Sequence, residues 1–113
     1  MTAAIDRLFH ALGDPTRRAI VDRLTAGPQS VSGLSAPLGI TLTAVSQHLR
    51  ILEQCNVVVT EKSGRVRIAS LVPDGLRPLE TWAQQRRSTL ERQLDRLGEL
   101  LEQSKHSGRP ESA

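Results

Sequence analysis

The stretch that decides the fold runs from Gly39 to Gln54 and reads GITLTAVSQHLRILEQ. Glycine commonly ends a helix in the left-handed conformation, and Thr41 is suited to cap the N-terminus of the next helix. The apolar spacing predicts a short helix over Val31–Leu38, with the preceding serine as a candidate cap, and a longer helix from Leu42 to about Gln54. Two helices joined by so short a connection form a helix-turn-helix.

The longer of these two helices has one apolar side. At 100° per residue, its inward-facing aliphatic side chains are expected to fall within an arc of about 80°. They are Leu42, Val45, Leu49 and Leu52.

The opposite side of this helix is polar, short-chained and free of acidic residues. It carries Thr43, Gln47 and Arg50, with Ala44 beside them. In the major groove of DNA, glutamine can pair with adenine, arginine with guanine, and threonine or alanine can touch the thymine methyl group. Ser46 and His48 flank this side, where a hydroxyl or an imidazole is expected to meet phosphate rather than base edges. With Thr41 at the helix start, these residues form the predicted DNA-contacting set; the alternative is an ordinary solvated helix face.

The rest of the chain predicts a winged helix-turn-helix domain. Helices are expected over Ala3–Leu12, from Pro15 to about Thr25, and from Pro73 to about Leu101. The β-branched run Val57–Thr60, followed by a Lys-Ser-Gly-Arg turn and an alternating return, predicts a β-hairpin. The fold class is therefore mainly α with a small β-hairpin, in the order of four helices, two strands and a fifth helix.

Basic residues concentrate at the predicted hairpin. Lys62, Arg65 and Arg67 stand there against a single acid, Glu61. A basic two-stranded ribbon beside a recognition helix can reach the DNA backbone or the flanking minor groove. The alternative is that these charges only protect the edge of a sheet.

The last predicted helix carries a leucine seam close to a heptad repeat. A small domain cannot bury the whole stripe, and an exposed apolar stripe of this size favours pairing with a second copy. The first helix is expected to take part. The predicted dimer interface is Ile5, Leu8, Leu90, Leu94, Leu97 and Leu101. A two-fold dimer presents two recognition helices about one DNA turn apart, which predicts an inverted-repeat operator.

Length and composition limit the alternatives. The chain has 113 residues, a net charge of +3, 2% aromatic residues and one cysteine. Such a chain is expected to form one DNA-binding and dimerisation domain over residues 1–102, with a disordered tail over 103–113. One cysteine excludes a disulfide framework and multi-cysteine zinc sites. No apolar run reaches the roughly 18 residues of a membrane span, so a cytoplasmic location is expected and no membrane partner.

Three segments resemble the ArsR/SmtB-type bacterial repressors. They are Phe9–Ile20 (FHALGDPTRRAI), Ala44–Glu53 (AVSQHLRILE) and Lys62–Arg65 (KSGR), in family-like order and spacing. The resemblance implies a homodimeric repressor that binds operator DNA, often upstream of its own gene, and leaves it when an inducer binds. Metal-responsive members often carry a Cys-x-Cys pair where this chain has Ser30 and Ser32. No metal site and no cofactor are therefore predicted, and the inducer stays unknown.

The sequence leaves three alternatives to a plain DNA-binding repressor. Cys55 follows the recognition helix, which leaves open a metal- or thiol-responsive sensor acting through it; a half-buried core cysteine is the preferred interpretation. An enzyme is not expected, because neither a nucleophile–base arrangement nor a glycine-rich phosphate loop is present. A dimeric interaction module that has lost DNA binding would have no need for the polar helix face.

Overall fold

The structure is a computed structural model that describes residues 2–106. The helices are α1 (Thr2–Leu12), α2 (Pro15–Leu24), α3 (Ser35–Leu38), α4 (Leu42–Gln54) and α5 (Arg77–His106). The strands are β1 (Gln29–Ser30), β2 (Val58–Ser63) and β3 (Val66–Leu71), and a 3-10 turn spans Ser32–Leu34. The contacts within the chain divide it into two units between Leu79 and Glu80. Helices and a hairpin in this order confirm the winged helix-turn-helix prediction.

Two helix starts follow the capping chemistry of the sequence. The Asp14 carboxylate accepts a hydrogen bond of 2.9 Å from the backbone N–H of Arg17, and Pro15 is the first residue of α2. The Thr41 hydroxyl accepts one of 3.1 Å from the backbone N–H of Ala44. Each side chain satisfies an amide that the helix itself leaves unpaired. The bounds of α4 are those expected from the sequence.

The core of the first unit is aliphatic. Its buried side chains are Ile5, Leu8, Ala11, Ile20, Val21, Leu24, Val31, Leu34, Val45, Leu49, Leu52, Val57, Val58 and Ala69. Burying a leucine, isoleucine or valine stabilises a fold by about 1.5–3 kcal/mol. Because Val45, Leu49 and Leu52 belong to α4, this core fixes the position of that helix.

The segment expected to form one helix over Val31–Leu38 divides into a 3-10 turn and the short helix α3, and the two residues before it form β1. β1 pairs antiparallel with β3, so the sheet has three strands in the order β1-β3-β2. The backbone N–H of Val31 donates to the carbonyl of Arg67 at 2.9 Å, which holds the chain against the sheet. The Ser30 hydroxyl accepts from the N–H of Gly33 at 3.0 Å, so it does stabilise a turn, although from a strand. Pairing with the sheet is the tertiary contact that the local sequence could not reveal.

Leu42 was wrongly expected to face the core, because its side chain is 50% exposed. It is the first residue of α4. Val45, Leu49 and Leu52, the other members of that arc, are at most 3% exposed.

α5 begins and ends later than expected. Val72 still donates its N–H to the carbonyl of Val57 at 2.9 Å, which delays the helix to Arg77. Gly75 lies in this connection, where an added Cβ would stand 2.6 Å from the carbonyl oxygen of Asn56. The helix also contains residues 103–106, so the expected disordered tail does not begin at residue 103. Glutamine and lysine favour helix without needing apolar burial. Residues 107–113 of that tail lie outside the described residues.

Candidate nucleic-acid interface

α4 presents its polar side to solvent. Thr41, Thr43, Ser46, Gln47 and Arg50 are exposed, and Ala44 is half-buried. The core side of α4 is held by three aliphatic anchors, so this exposed side is fixed in direction. A side chain as long as arginine or glutamine can reach base edges from a helix lying in the major groove.

His48 lies on the flank of the polar side of α4 and also contacts the protein itself. Its Nδ1 lies 3.3 Å from an Nη atom of Arg17 and 3.9 Å from Oδ2 of Asp14, and its side chain is 23% exposed. One ring nitrogen is therefore directed to the α1–α2 corner of the protein rather than to solvent. Only the remaining nitrogen, Nε2, is left for a partner.

Arg17 is a residue of this region that the sequence reasoning missed. It is 8% exposed and donates to the carbonyls of Ala11 (2.6 Å) and His10 (3.2 Å), where it satisfies carbonyls at the end of α1. A signal was present, because Arg17 stands three, four and seven residues before Ile20, Val21 and Leu24 on the buried stripe of α2. A charged residue on an apolar stripe indicates a buried hydrogen-bonding role.

The charge of Asp14 is stabilised by the same corner. The hydrogen bond from the Arg17 backbone N–H lowers the pKa of the Asp14 carboxyl, and electrostatic interaction with the Arg17 and His48 side chains acts in the same direction. Partial desolvation opposes them without reversing the shift. The carboxylate at the start of α2 is thus ionised at neutral pH.

The hairpin directs two basic residues to the side of α4. Lys62 and Arg67 are directly opposed across β2 and β3. Side chains two residues apart lie on the same face of a strand, so both share a face with Ala69, which is buried. Arg67 donates to the Thr60 hydroxyl at 2.7 Å, and that hydroxyl donates to the Glu53 carboxylate on α4 at 2.8 Å. The chain of hydrogen bonds connects the wing to the recognition helix. Arg65 lies exposed in the turn.

The leucines of α5 are exposed, whereas the predicted contributors from α1 are not. Leu90, Leu94, Leu97 and Leu101 are 52–58% exposed, and Leu100, which the sequence reasoning omitted, is 55% exposed. Ile5 and Leu8 are 6% and 2% exposed, so they belong to the core of their own chain and have little surface for a partner. The apolar side of α1 therefore packs within its own chain. The assignment of Ile5 and Leu8 to a dimer interface stays a prediction.

Cys55 lies beside a groove at the end of α4. The groove has a volume of about 310 Å³ and is lined by Asp6, Arg7, His10, Ile51, Gln54 and Cys55. Burial raises the pKa of the Cys55 thiol, which disfavours the reactive thiolate. Among residues 2–106, no group of three histidine, cysteine, aspartate or glutamate side chains is arranged to hold a metal ion. In the same part of the chain, no helix is long and apolar enough to cross a bilayer.

A helix-turn-helix with an exposed polar second helix and a basic hairpin beside it defines a winged helix-turn-helix DNA-binding protein. Comparisons with known proteins support this assignment. The model of a helix-turn-helix domain family matches residues 12–61. The HTH-type transcriptional regulator Rv2034 of Mycobacterium tuberculosis is 45% identical over 76 residues, which cover 67% of this chain and 71% of the relative. The transcriptional repressor SdpR of Bacillus subtilis is 31% identical over 78 residues, covering 69% of this chain and 87% of SdpR.

A solved structure gives the family. The ArsR family transcriptional regulator RHA00566 superposes with a TM-score of 0.75 at 33% identity, covering 80% of this chain and 94% of the other. The chain belongs to the ArsR family of winged helix-turn-helix regulators. It is a DNA-binding transcriptional regulator, and its family is one of regulators rather than enzymes.

Proposed function

We propose that this protein is a homodimeric repressor that reads an inverted-repeat operator in double-stranded DNA through α4. The observation that carries the proposal is the exposed, acid-free side of α4, with Gln47 and Arg50 directed away from the aliphatic core. Base edges in the major groove are recognised by these side-chain types. The relative SdpR is named a repressor, which supports repression as the direction of regulation.

Contacts to the DNA backbone come from the wing in this proposal. Lys62 and Arg65 are exposed, and Arg67 is directed to the same side through its bond to Thr60. A cation that neutralises a phosphate releases a condensed counterion, and this makes binding depend on salt. The wing therefore supplies affinity, and the base-facing residues of α4 supply specificity.

The leucines of α5 support the homodimer. Leu90, Leu94, Leu97 and Leu101 fall within an arc of about 60° on the helix, and more than half of each side chain is exposed. A second copy of the same helix offers the same seam, and a two-fold axis closes the assembly. Two recognition helices related by that axis match an operator that is its own inverted repeat.

The test of base reading compares two single variants with a matched control. Genomic fragments bound by the wild-type protein are selected first, and their shared motif should be an inverted repeat. Gln47→Ala and Arg50→Ala should then each cost about 1–3 kcal/mol on this operator, with little loss on unrelated DNA. Gln54→Ala is the control, because Gln54 is an exposed glutamine on the same helix that lines the groove beside α1 instead. Equal losses on operator and unrelated DNA, measured by fluorescence anisotropy, would exclude base reading.

The test of the wing measures salt dependence. Lys62→Gln combined with Arg65→Gln should reduce the slope of log affinity against log salt by about one for each lost phosphate contact. The control is Arg92→Gln, which removes one positive charge from the exposed surface of α5, outside the proposed interface. A double variant with the wild-type slope would remove the wing from the DNA interface.

A further inference from the structure

The buried Arg17 connects three parts of the fold through one guanidinium group. Its Nε donates to the carbonyl of Ala11 at 2.6 Å, and one Nη donates to that of His10 at 3.2 Å. The other Nη lies 3.3 Å from Nδ1 of His48, on the recognition helix. The His48 imidazole is therefore attached to α4 and, through Arg17, is also held against the end of α1.

The chemistry of the two partners decides the direction of the Arg17–His48 hydrogen bond. A guanidinium group has five N–H donors, carries no acceptor and stays protonated in proteins. Nδ1 of His48 must then be the acceptor, so it carries no hydrogen. In a neutral imidazole the single proton is then on Nε2, and that N–H is a donor. Asp14 stands 3.9 Å from the same Nδ1, which is beyond hydrogen-bonding distance.

The second ring nitrogen is the one left for an external partner. Within residues 2–106, no hydrogen bond to Nε2 of His48 is formed, and the side chain keeps 23% of its surface exposed. His48 follows Gln47 on α4, on the flank of the side that the proposed function turns to bases. At such a flank, the acceptors that DNA presents are phosphate oxygens.

We propose that Arg17 is a positioning residue, which holds His48 in the Nε2–H tautomer so that this N–H donates to a phosphate oxygen of the DNA backbone. The phosphate contact rests on the proposed function, whereas the tautomer is a property of the free protein. A neutral imidazole that donates this hydrogen bond contributes affinity without releasing a counterion. It thereby differs from the contacts of the wing.

The first experiment needs neither DNA nor a variant. Long-range ¹H–¹⁵N correlation spectra of the free wild-type protein, recorded at a pH where His48 is neutral, distinguish a protonated ring nitrogen from an unprotonated one. The expected result is a protonated Nε2 and an unprotonated Nδ1. A protonated Nδ1, or an even mixture of both tautomers, would overturn the role of Arg17. Arg17→Leu, if it folds, should shift His48 towards a mixture.

The second experiment separates the two ring nitrogens in DNA binding. An asparagine carbonyl can occupy the place of Nδ1, and a glutamine amide nitrogen can occupy that of Nε2. His48→Asn should therefore lose about tenfold in operator affinity, and His48→Gln should recover most of that loss. Both should keep the wild-type salt slope, because no cation is removed. Thermal unfolding shows whether each variant is folded.

The outcomes distinguish this inference from the proposed function. Wild-type affinity for His48→Asn, or equal losses for both variants, would overturn the Nε2 contact. A reduced salt slope would mean that a charged His48 contacts the phosphate, and this too contradicts the inference. If the wild-type protein bound no duplex, the proposed function and the phosphate contact would both fail, and the tautomer alone would decide the role of Arg17.

Discussion

Charging the α5 seam should convert the dimer into monomers. The perturbation is Leu94→Asp combined with Leu97→Asp, at the middle of the exposed leucine stripe. These two side chains are 57% and 52% exposed in the single chain, so a partner helix has about half of each surface to cover. Because α5 contributes them to no core of its own chain, the substitutions should leave the fold of the monomer intact.

The expected magnitude follows from that exposure. Fully burying a leucine is worth about 1.5–3 kcal/mol, so covering half of one contributes about 1 kcal/mol. Two substitutions in each of two chains remove four such contributions, or about 4 kcal/mol in total. This loss corresponds to a dimer weakened by about three orders of magnitude. Placing four carboxylates in an apolar seam adds a desolvation cost in the same direction.

Sedimentation velocity across a dilution series measures this effect directly. The wild-type protein should sediment as a dimer and the double variant as a monomer, with unchanged far-ultraviolet circular dichroism. Gln85→Asp is the control, since it places an acid on the opposite side of α5 and should leave the dimer intact. A double variant that sediments as a dimer, at concentrations where the wild-type dimer begins to dissociate, would refute the assignment of the seam. Operator affinity should fall together with dimerisation.

Other variants test the remaining parts of the structure. The lowered pKa of Asp14 stabilises the fold above the ordinary carboxyl value of 3.8, and this contribution disappears as the pH falls from there towards the folded-state pKa. Asp14→Asn keeps a capping side chain, so thermal melts should show less acid dependence than wild type; an equal dependence would exclude Asp14 as its source. Gly75→Ala should cost about 1–3 kcal/mol in chemical unfolding, because its Cβ would meet a backbone oxygen at 2.6 Å, and wild-type stability would mean that the connection can move. Thr60→Val should cost about 1–3 kcal/mol, since the Glu53 carboxylate loses its donor; denaturant titration measures it, and no change would show that water replaces the hydroxyl. The raised pKa of the Cys55 thiol predicts slower alkylation by iodoacetamide at neutral pH than that of free cysteine. Peroxide that releases DNA from wild type but not from Cys55→Ala would instead make Cys55 a sensor.

Local chemistry was enough to predict the helix-turn-helix. Asp14 and Thr41 are caps whose partners lie three residues away, and Val45, Leu49 and Leu52 repeat with the period of a helix. Such signals need only neighbours along the chain, so they can be read without the fold. The solvent-facing side of α4 follows from the same periodicity.

Contacts between distant segments decided the rest. The helical period places His48 on the outer flank of α4. Its Nδ1 nevertheless contacts Arg17, 31 residues earlier, at the α1–α2 corner. The two-residue β1 exists only because β3 supplies its partner. Neither interaction has a local pattern, since each depends on where a remote backbone or side chain arrives.

The assignment of apolar stripes shows the same division. The sequence by itself determined that α1 and α5 each have an apolar side, because the helical period places those residues together. Only the tertiary structure decided that Ile5 and Leu8 are buried in the core of their own chain while Leu94 and Leu97 remain exposed. Periodicity specifies which face of a helix avoids water. What covers that face depends on the elements that reach it, and these are set by packing in three dimensions.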